Sequence, residues 1–309
     1  MTAGPNHVPV LAGPTLELLR PGPGNRFIDC TVNGAGHSAA ILQRTAPDGR
    51  LLAIDADPDA LLRAKVTLER FGDRVTYARA NFRTLEAVAT ERGFTEVDGI
   101  LMDLGLSSNQ LSAADRGFAF SYEGPLDMRY DQTSGEDAAE FLALADVRTI
   151  ERTLRDLGEE PRARRIAEAI LAERQKRPIA TTTQLADVVA RAAGRRGRIH
   201  PATRTFQALR ISINDELGAL AEALPQALRL LNRGARLAVI SFHSLEDRIV
   251  KTFFTSLSGR AVGSRLPIAP PTPPAELRII SKRPIVASLE ETARNPRSRS
   301  ARLRVAERI

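Results

Sequence analysis

Three aspartates close apolar runs in the first third of the chain. Asp29 follows Phe27-Ile28, Asp55 ends Leu51-Leu52-Ala53-Ile54, and Asp103 ends Ile100-Leu101-Met102. Between the first two lies a turn of small residues, Asn33-Gly34-Ala35-Gly36, which opens onto a helical pattern at Ala39, Ala40, Ile41 and Leu42. A turn of this kind brings bare backbone close to a ligand, and the helix behind it aims N–H groups at the same place. A carboxylate closing the next strand, as Asp55 does, can accept both hydroxyls of a ribose. The chemistry indicated is binding of a nucleotide-like ligand. Gly34, Gly36 and Ala39 also satisfy a G-x-G-x-x-A pattern, so this stretch alone leaves open a nicotinamide dinucleotide site or a tight turn that binds nothing.

The elements that must hold these residues follow from the pattern around them. Apolar runs at Phe27-Ile28, Leu51–Asp55, Val75–Ala80 and Val97–Asp103 read as strands, and helical segments separate them. Asp57-Pro58 supplies an N-cap and a proline at the first helical position, and Ala60, Leu61, Ala64 and Leu68 give that helix its apolar face. Strands alternating with helices predict an α/β, doubly wound, Rossmann-like parallel sheet whose ligands sit at the carboxyl ends of the strands. Those ends carry Thr31 to Gly36, Asp55, Asn81-Phe82 and Asp103.

With 309 residues, 43% of them hydrophobic, the chain can bury one large core or one core and a satellite. A net charge of +7 favours a polyanionic partner such as nucleic acid. His7, His37, His200 and His243 share no metal-ligand spacing, and Cys30 reads as a packed thiol, so no metal is expected. Neither an export signal nor an apolar run of membrane-spanning length is present, which makes the cytoplasm the expected location and a membrane role unexpected.

Beyond Asp103 the pattern changes. Leu104 to Asp131 is loop-rich and holds Phe118, Phe120 and Tyr122 beside Arg and Asp. Helical periodicity then runs from Ala138 to about Gln175, a Thr181-Thr182-Thr183 cap opens another helix, and 194–198 is a basic turn. Ala202, Phe206, Leu209, Ile213, Leu217 and Leu220 predict one long amphipathic helix. The sheet resumes at Arg236–Ile240, and after a proline-rich linker at 266–274 two apolar runs, Leu277–Ser281 and Leu303–Ala306, are positioned to form a closing hairpin around a basic loop. The helical block is therefore expected to be an insertion, 114–213, in a discontinuous domain of 1–113 and 214–309.

A sheet closed by an antiparallel hairpin, with acidic residues ending its second and fourth strands, is typical of S-adenosylmethionine methyltransferases. D-C-T-V-N-G-A-G-H-S from Asp29, A-I-D-A-D-P-D-A from Ala53, D-G-I-L-M-D-L-G-L-S-S-N-Q-L from Asp98, R-G-F-A-F from Arg116, G-P-L-D-M-R from Gly124, G-E-E from Gly158, H-P-A-T-R-T-F-Q-A-L-R-I from His200, N-D-E-L from Asn214 and I-S-F-H-S-L-E-D-R-I-V-K from Ile240 occur in one order. That series resembles the RsmH (MraW) family along nearly the whole chain. The resemblance implies an rRNA methyltransferase that uses S-adenosylmethionine to methylate N4 of a cytidine in the decoding centre (P site) of 16S rRNA in the small ribosomal subunit. It implies that Ala35, Gly36 and His37 meet the methionine end of the cofactor, Asp55 the ribose, Phe82 the adenine, and Asp103 and Gln110 the remaining contacts. Asn33 stands where many members have Gly, and Asn109 where they have Pro.

The N4 amine of cytosine is a poor nucleophile because its lone pair is delocalised into the ring. Acceptors around it localise that pair and stabilise the developing positive charge, an effect of ~3 kcal/mol per well-placed group. Asp103 is the first candidate for that catalytic role; Asp127, Asn214 and His243 are secondary ones. Phe118, Phe120 and Tyr122 are candidates to stack on a base drawn out of its helix, or else to form an apolar lid. Arg116, Arg129, Arg204 and Arg248 are candidate phosphate or base contacts. A homodimer is compatible with the sequence. Two rivals remain: an RNA-binding assembly factor without turnover, and a nicotinamide-dependent oxidoreductase.

Overall fold

The computed structural model describes residues 9–194, 200–259 and 274–309. His7, most of the basic turn at 194–198 and most of the proline-rich stretch lie outside the described residues. The chain divides into two compact units, one of residues 1–105 and 217–309 and one of 106–216. The boundaries expected from sequence were 114 and 213.

The first unit is built on a seven-stranded sheet in the order β3-β2-β1-β4-β5-β7-β6. Its strands are β1 (Arg26–Asp29), β2 (Arg50–Asp55), β3 (Val75–Arg79), β4 (Val97–Asp103), β5 (Leu231–Ser241), β6 (Leu277–Ile279) and β7 (Arg302–Arg308). β1 to β5 are parallel, and β7 returns antiparallel between β5 and β6, so the two last apolar runs do pair. Helix α1 (Ala12–Leu19) precedes β1, and α2 (Gly36–Arg44), α3 (Pro58–Leu68) and α4 (Leu85–Glu91) connect the first four strands.

Period-two alternation divides the core. Phe27, Leu51, Ala53, Leu101, Ala238 and Leu303 pack with α1, α2 and α3 on one face; Ile28, Leu52, Ile54, Ile100, Met102 and Val239 face the other way with α4 and the helices after residue 216. Both faces are covered, which is why β1, β2 and β4 read as unbroken apolar runs. Gly99 pairs with Phe27 across β1 and β4, and a Cβ there would stand 2.2 Å from the Phe27 ring, so the sheet admits only glycine at that point.

The inserted unit holds α5 (Ser108–Ser112), α6 (Ala138–Leu144), α7 (Val147–Gly158), α8 (Ala163–Arg174), α9 (Thr182–Ala193) and α10 (Thr203–Ile213). Its core gathers Ile150, Leu154, Ile166, Ile170, Leu185, Val189 and Leu209. α11 (Glu216–Leu230), α12 (Ser244–Ser256) and α13 (Leu289–Arg294) follow.

Two expectations are corrected. The single helix predicted over Ala202 to Leu220 is two, α10 and α11, because Asp215 takes a left-handed conformation (φ 43°) between them. Apolar spacing continues across the break, so it carries no periodic signal. β5 begins at Leu231 rather than Arg236, with a register shift against β4 between Val97 and Gly99.

Candidate active site

In this strand order the crevice at the carboxyl edge opens between β1 and β4, where the direction of winding reverses. Asp29 and Asp103 end those two strands. Cys30 N–H donates to Leu101 O at 2.9 Å, and Asp103 N–H donates to Thr31 Oγ1 at 2.6 Å, so the two strand ends are fastened together beyond the regular ladder. The small-residue turn is formed by Asn33 (φ 46°) and Ala35 (φ 61°), both left-handed, with Ala35 N–H donating to Val32 O at 2.6 Å. Asn tolerates this conformation nearly as glycine does.

Side chains at the strand ends hold the turn in place. Asp29 accepts from Ser38 Oγ at 2.6 Å and from Thr31 N–H at 3.1 Å. Asp55 accepts from Asn33 N–H at 2.9 Å and from Asp57 N–H at 3.0 Å. Thr31 and Asp29 have positioning roles that the spacing of single residues did not reveal; the Ser38 hydroxyl one helical turn behind the glycines was the available signal.

Three buried carboxyls therefore share one edge, and burial governs each of them. Burial lifts Asp29 to about 6, against the Ser38 and Thr31 hydrogen bonds that favour its charge. It lifts Asp55 to about 7, opposed by the Asp57 and Asn33 N–H groups and aided by the charges of Asp57 and Asp29. Asp103 rises furthest, to about 8, from burial and the Asp29 charge, with Arg297 pulling it down and Glu246 pushing it up. Its Oδ2 lies 3.7 Å from His37 Nε2. Its Oδ1 is buried and has no hydrogen-bond partner among the described residues. A buried acceptor of this kind is costly unless a ligand donor completes it.

The edge fits the cofactor that the sequence resemblance implies. α2 starts at Gly36 without a side-chain cap, an arrangement suited to a ligand carboxylate. A Cβ at Gly36 would lie 3.0 Å from the Pro9 ring, a tight approach that the small glycine avoids. The unsatisfied Asp103 Oδ1 offers an acceptor for a cationic amine. Phe82, half-buried beyond the end of β3, packs against the core and presents an apolar ring next to the strand that ends in Asp55.

Ala35, Gly36, His37, Asp55, Phe82 and Asp103 thus lie along one edge of the first unit. In the same unit His243 is the N-cap of α12: its Nδ1 accepts from Glu246 N–H at 3.4 Å, and its Nε2 lies 3.1 Å from Glu246 Oε1. The reciprocal bonds from Phe242 and His243 N–H to Glu246 complete a capping box. Arg248 lies exposed on α12.

Within the inserted unit several candidates are committed to holding that unit together. Gln110 forms a capping box with Ser107, each side chain bonded to the other's N–H, at the start of α5; Asn109 takes its first turn, where a proline would also fit. Arg116 is only 5% exposed and donates to the carbonyls of Arg129 and Tyr130 at 3.1 and 2.8 Å. Phe118, 6% exposed, is a core residue against Tyr130. In this structure both are packed into the inserted unit, Arg116 as a buried clamp on two carbonyls and Phe118 as a core ring.

Asp127 chelates Arg129 through bonds of 2.9 and 2.7 Å and accepts from Gln132. Burial alone would raise Asp127, but the Arg129 bonds outweigh it and its pKa falls. Asn214 is also spent internally, donating to Met128 and Arg210 carbonyls and accepting from Tyr130 N–H. Arg204 donates to Glu159 O, capping α7 from an exposed position. Phe120 stacks on His200 with ring centroids 4.6 Å apart, and His200 is exposed. Tyr122 is 57% exposed.

Arg116→Ala is expected to lower the stability of the inserted unit by roughly 2–4 kcal/mol, since it leaves two carbonyls without their charged donor. A lowered thermal midpoint with an unchanged salt dependence of RNA binding is the expected outcome. A shallower salt dependence at unchanged stability would restore the phosphate role.

Residues 4–309 match the sequence family described as the MraW methylase family. The chain is 53% identical over 311 residues to the "Ribosomal RNA small subunit methyltransferase H" of Thermomicrobium roseum, covering 98% of this chain and 94% of that one. It is 50% identical over 309 residues to the protein of the same name from Heliobacterium mobile, covering 98% and 99%.

Proposed function

The chain belongs to the MraW methylase family, and from that premise we propose how its residues share the work of the reaction. The reaction is the S-adenosylmethionine-dependent methylation of cytosine N4 in 16S rRNA. When bound, the cofactor supplies an electrophilic methyl group. The backbone of Ala35, Gly36 and His37 holds its carboxylate end, Asp55 its ribose and Phe82 its adenine. Asp103 completes the site as an acceptor.

The observation that carries this assignment is the buried, unpartnered Oδ1 of Asp103 at the β1/β4 crevice. As a carboxylate, Asp103 accepts a hydrogen bond from an amine at the edge, whether of the cofactor or of the cytosine. Toward the cytosine it localises the N4 lone pair and receives the proton that N4 loses once the carbon–nitrogen bond forms. Among the described residues no helix is long and apolar enough to cross a membrane. The enzyme works in the cytoplasm, on the decoding centre of an assembled small subunit, with the inserted unit reading the RNA.

Two measurements test the reading. At pH 7 the ligand-free Asp103, with its pKa near 8, is mostly protonated. A cationic ligand arriving beside it favours the carboxylate, so cofactor binding is expected to release about one proton at pH 7 and almost none above pH 9. Calorimetry in buffers of different ionisation enthalpy measures this, and no release at pH 7 would take Asp103 out of the cofactor site. For the substrate, methyl transfer to assembled subunits is expected to exceed transfer to a short stem-loop by at least about tenfold; equal rates would refute the requirement for an assembled particle.

A further inference from the structure

The first described residues of the chain lie against the small-residue turn and are pinned there from its C-terminal end. The Pro9 ring rests on Gly36: a Cβ on that glycine would stand 3.0 Å from Pro9 Cδ and Cγ and 3.2 Å from Pro9 Cβ. Val10 and Leu11, 5% and 1% exposed, join Val32 and Ala35 of the turn in one apolar cluster. Residues 9–11 therefore form a strap against the backbone to which the cofactor's carboxylate end is assigned.

Regular structure does not hold this strap. Leu11, the residue before α1, takes a left-handed conformation (φ 53°) and makes no side-chain cap. Leucine is disfavoured there because its Cβ crowds the following carbonyl, so the conformation persists only where the surroundings impose it. Two hydrogen bonds help to impose it. Leu11 O accepts from Thr15 N–H at 2.9 Å, and Leu11 N–H donates to Glu291 Oε1 at 2.7 Å, joining residues 280 positions apart.

Glu291 makes this bond in place of a local one. Ser288-Leu289-Glu290-Glu291 has the S-x-x-E spacing of a capping box, in which the glutamate carboxylate returns to the serine N–H. Among the described residues α5, α6, α9 and α12 complete such boxes and α13 does not. Ser288 Oγ accepts from Glu291 N–H at 3.0 Å, but the Glu291 carboxylate turns to Leu11. A carboxylate bonded to a backbone N–H is among the stronger hydrogen bonds, which suits it to hold a strained residue.

We propose that Glu291 is a positioning residue for cofactor binding: by holding Leu11 it keeps Pro9 on Gly36 and fixes the backbone that receives the cofactor's carboxylate end. This rests on the methyltransferase reading above and adds to it what keeps the turn preorganised.

The test compares the wild type, Glu291→Ala and Glu291→Gln by calorimetric binding of S-adenosylmethionine and by single-turnover methyl transfer to small subunits at saturating cofactor. Glu291→Ala is expected to raise Kd about tenfold and to leave the saturated rate within about twofold, since the contact orders the site and touches no reacting atom. Glu291→Gln keeps an oxygen for Leu11 N–H and is expected to stay within about threefold of the wild-type Kd. An alanine variant with unchanged Kd would overturn the proposal even if its thermal midpoint falls. So would a glutamine variant as weak as alanine, or a loss confined to the saturated rate. If alanine prevents folding, the glutamine variant and a measurement on the wild type decide. Saturating S-adenosylmethionine is expected to slow hydrogen exchange of the wild-type Leu11 amide by about fivefold or more, and exchange unmoved by the ligand would overturn the proposal. Wild type that binds S-adenosylmethionine no better than the alanine variant refutes the strap alone; wild type that binds none refutes the methyltransferase reading beneath it.

Discussion

Asparagine in place of Asp103 is expected to slow methyl transfer by about two to three orders of magnitude, the usual consequence of removing one preorganised group from a reacting centre. The change is nearly isosteric and puts a neutral amide where a buried carboxyl stood. Its pKa is raised on folding, so Asp103 favours the native state below pH 4 and this contribution is lost as pH rises to about 8. Asp103→Asn should therefore be at least as stable as the wild type at pH 8, and its loss of activity cannot be ascribed to unfolding. Rapid-quench transfer at saturating cofactor, beside a thermal melt, checks both halves. An active, equally stable Asn variant would confine Asp103 to cofactor contact or to no role.

Alanine at Asp55 is expected to weaken cofactor binding by roughly 30- to 100-fold, about 2–3 kcal/mol, because two functions end together. The ribose loses its acceptor, and the N–H groups of Asn33 and Asp57 lose the carboxylate that they bond at 2.9 and 3.0 Å. The left-handed turn at Asn33 is then held from one side only. Transfer at saturating cofactor should recover most of the wild-type rate, so the defect lies in Kd and not in kcat. A collapse of kcat with unchanged Kd would place Asp55 in the chemistry instead.

Most of the sheet was legible because β1, β2 and β4 are apolar runs buried on both faces and closed by an aspartate at the edge. Asp55 and Asp103 are both the punctuation of their strands and the candidate chemistry of the edge, so one pattern pointed to both, whereas the part Asp29 plays in holding the turn needed the structure. The turn was also plain from its run of small residues and from Asn33, which tolerates the left-handed conformation, although Ala35 (φ 61°) takes that conformation against the preference of its Cβ.

The inserted unit was harder to read. Arg116 and Phe118 sit in a stretch without periodicity, where an arginine beside an aromatic is ambiguous between recognition and packing. The chain folds that stretch into its own small core, which buries both residues. The break between α10 and α11 was hidden because apolar spacing continues through Asn214-Asp215, and only the backbone angle at Asp215 interrupts the helix.

The central claim, that the edge built around Asp103 transfers methyl to cytosine N4, is tested most directly with small subunits that lack the modification. Labelled S-adenosylmethionine, enzyme and subunits are incubated, and the RNA is digested to nucleosides. Label in N4-methylcytidine with the wild type, formed about a hundred- to a thousandfold more slowly with Asp103→Asn, is the result expected. Label in another nucleoside, or N4-methylcytidine formed equally by both proteins, would contradict it.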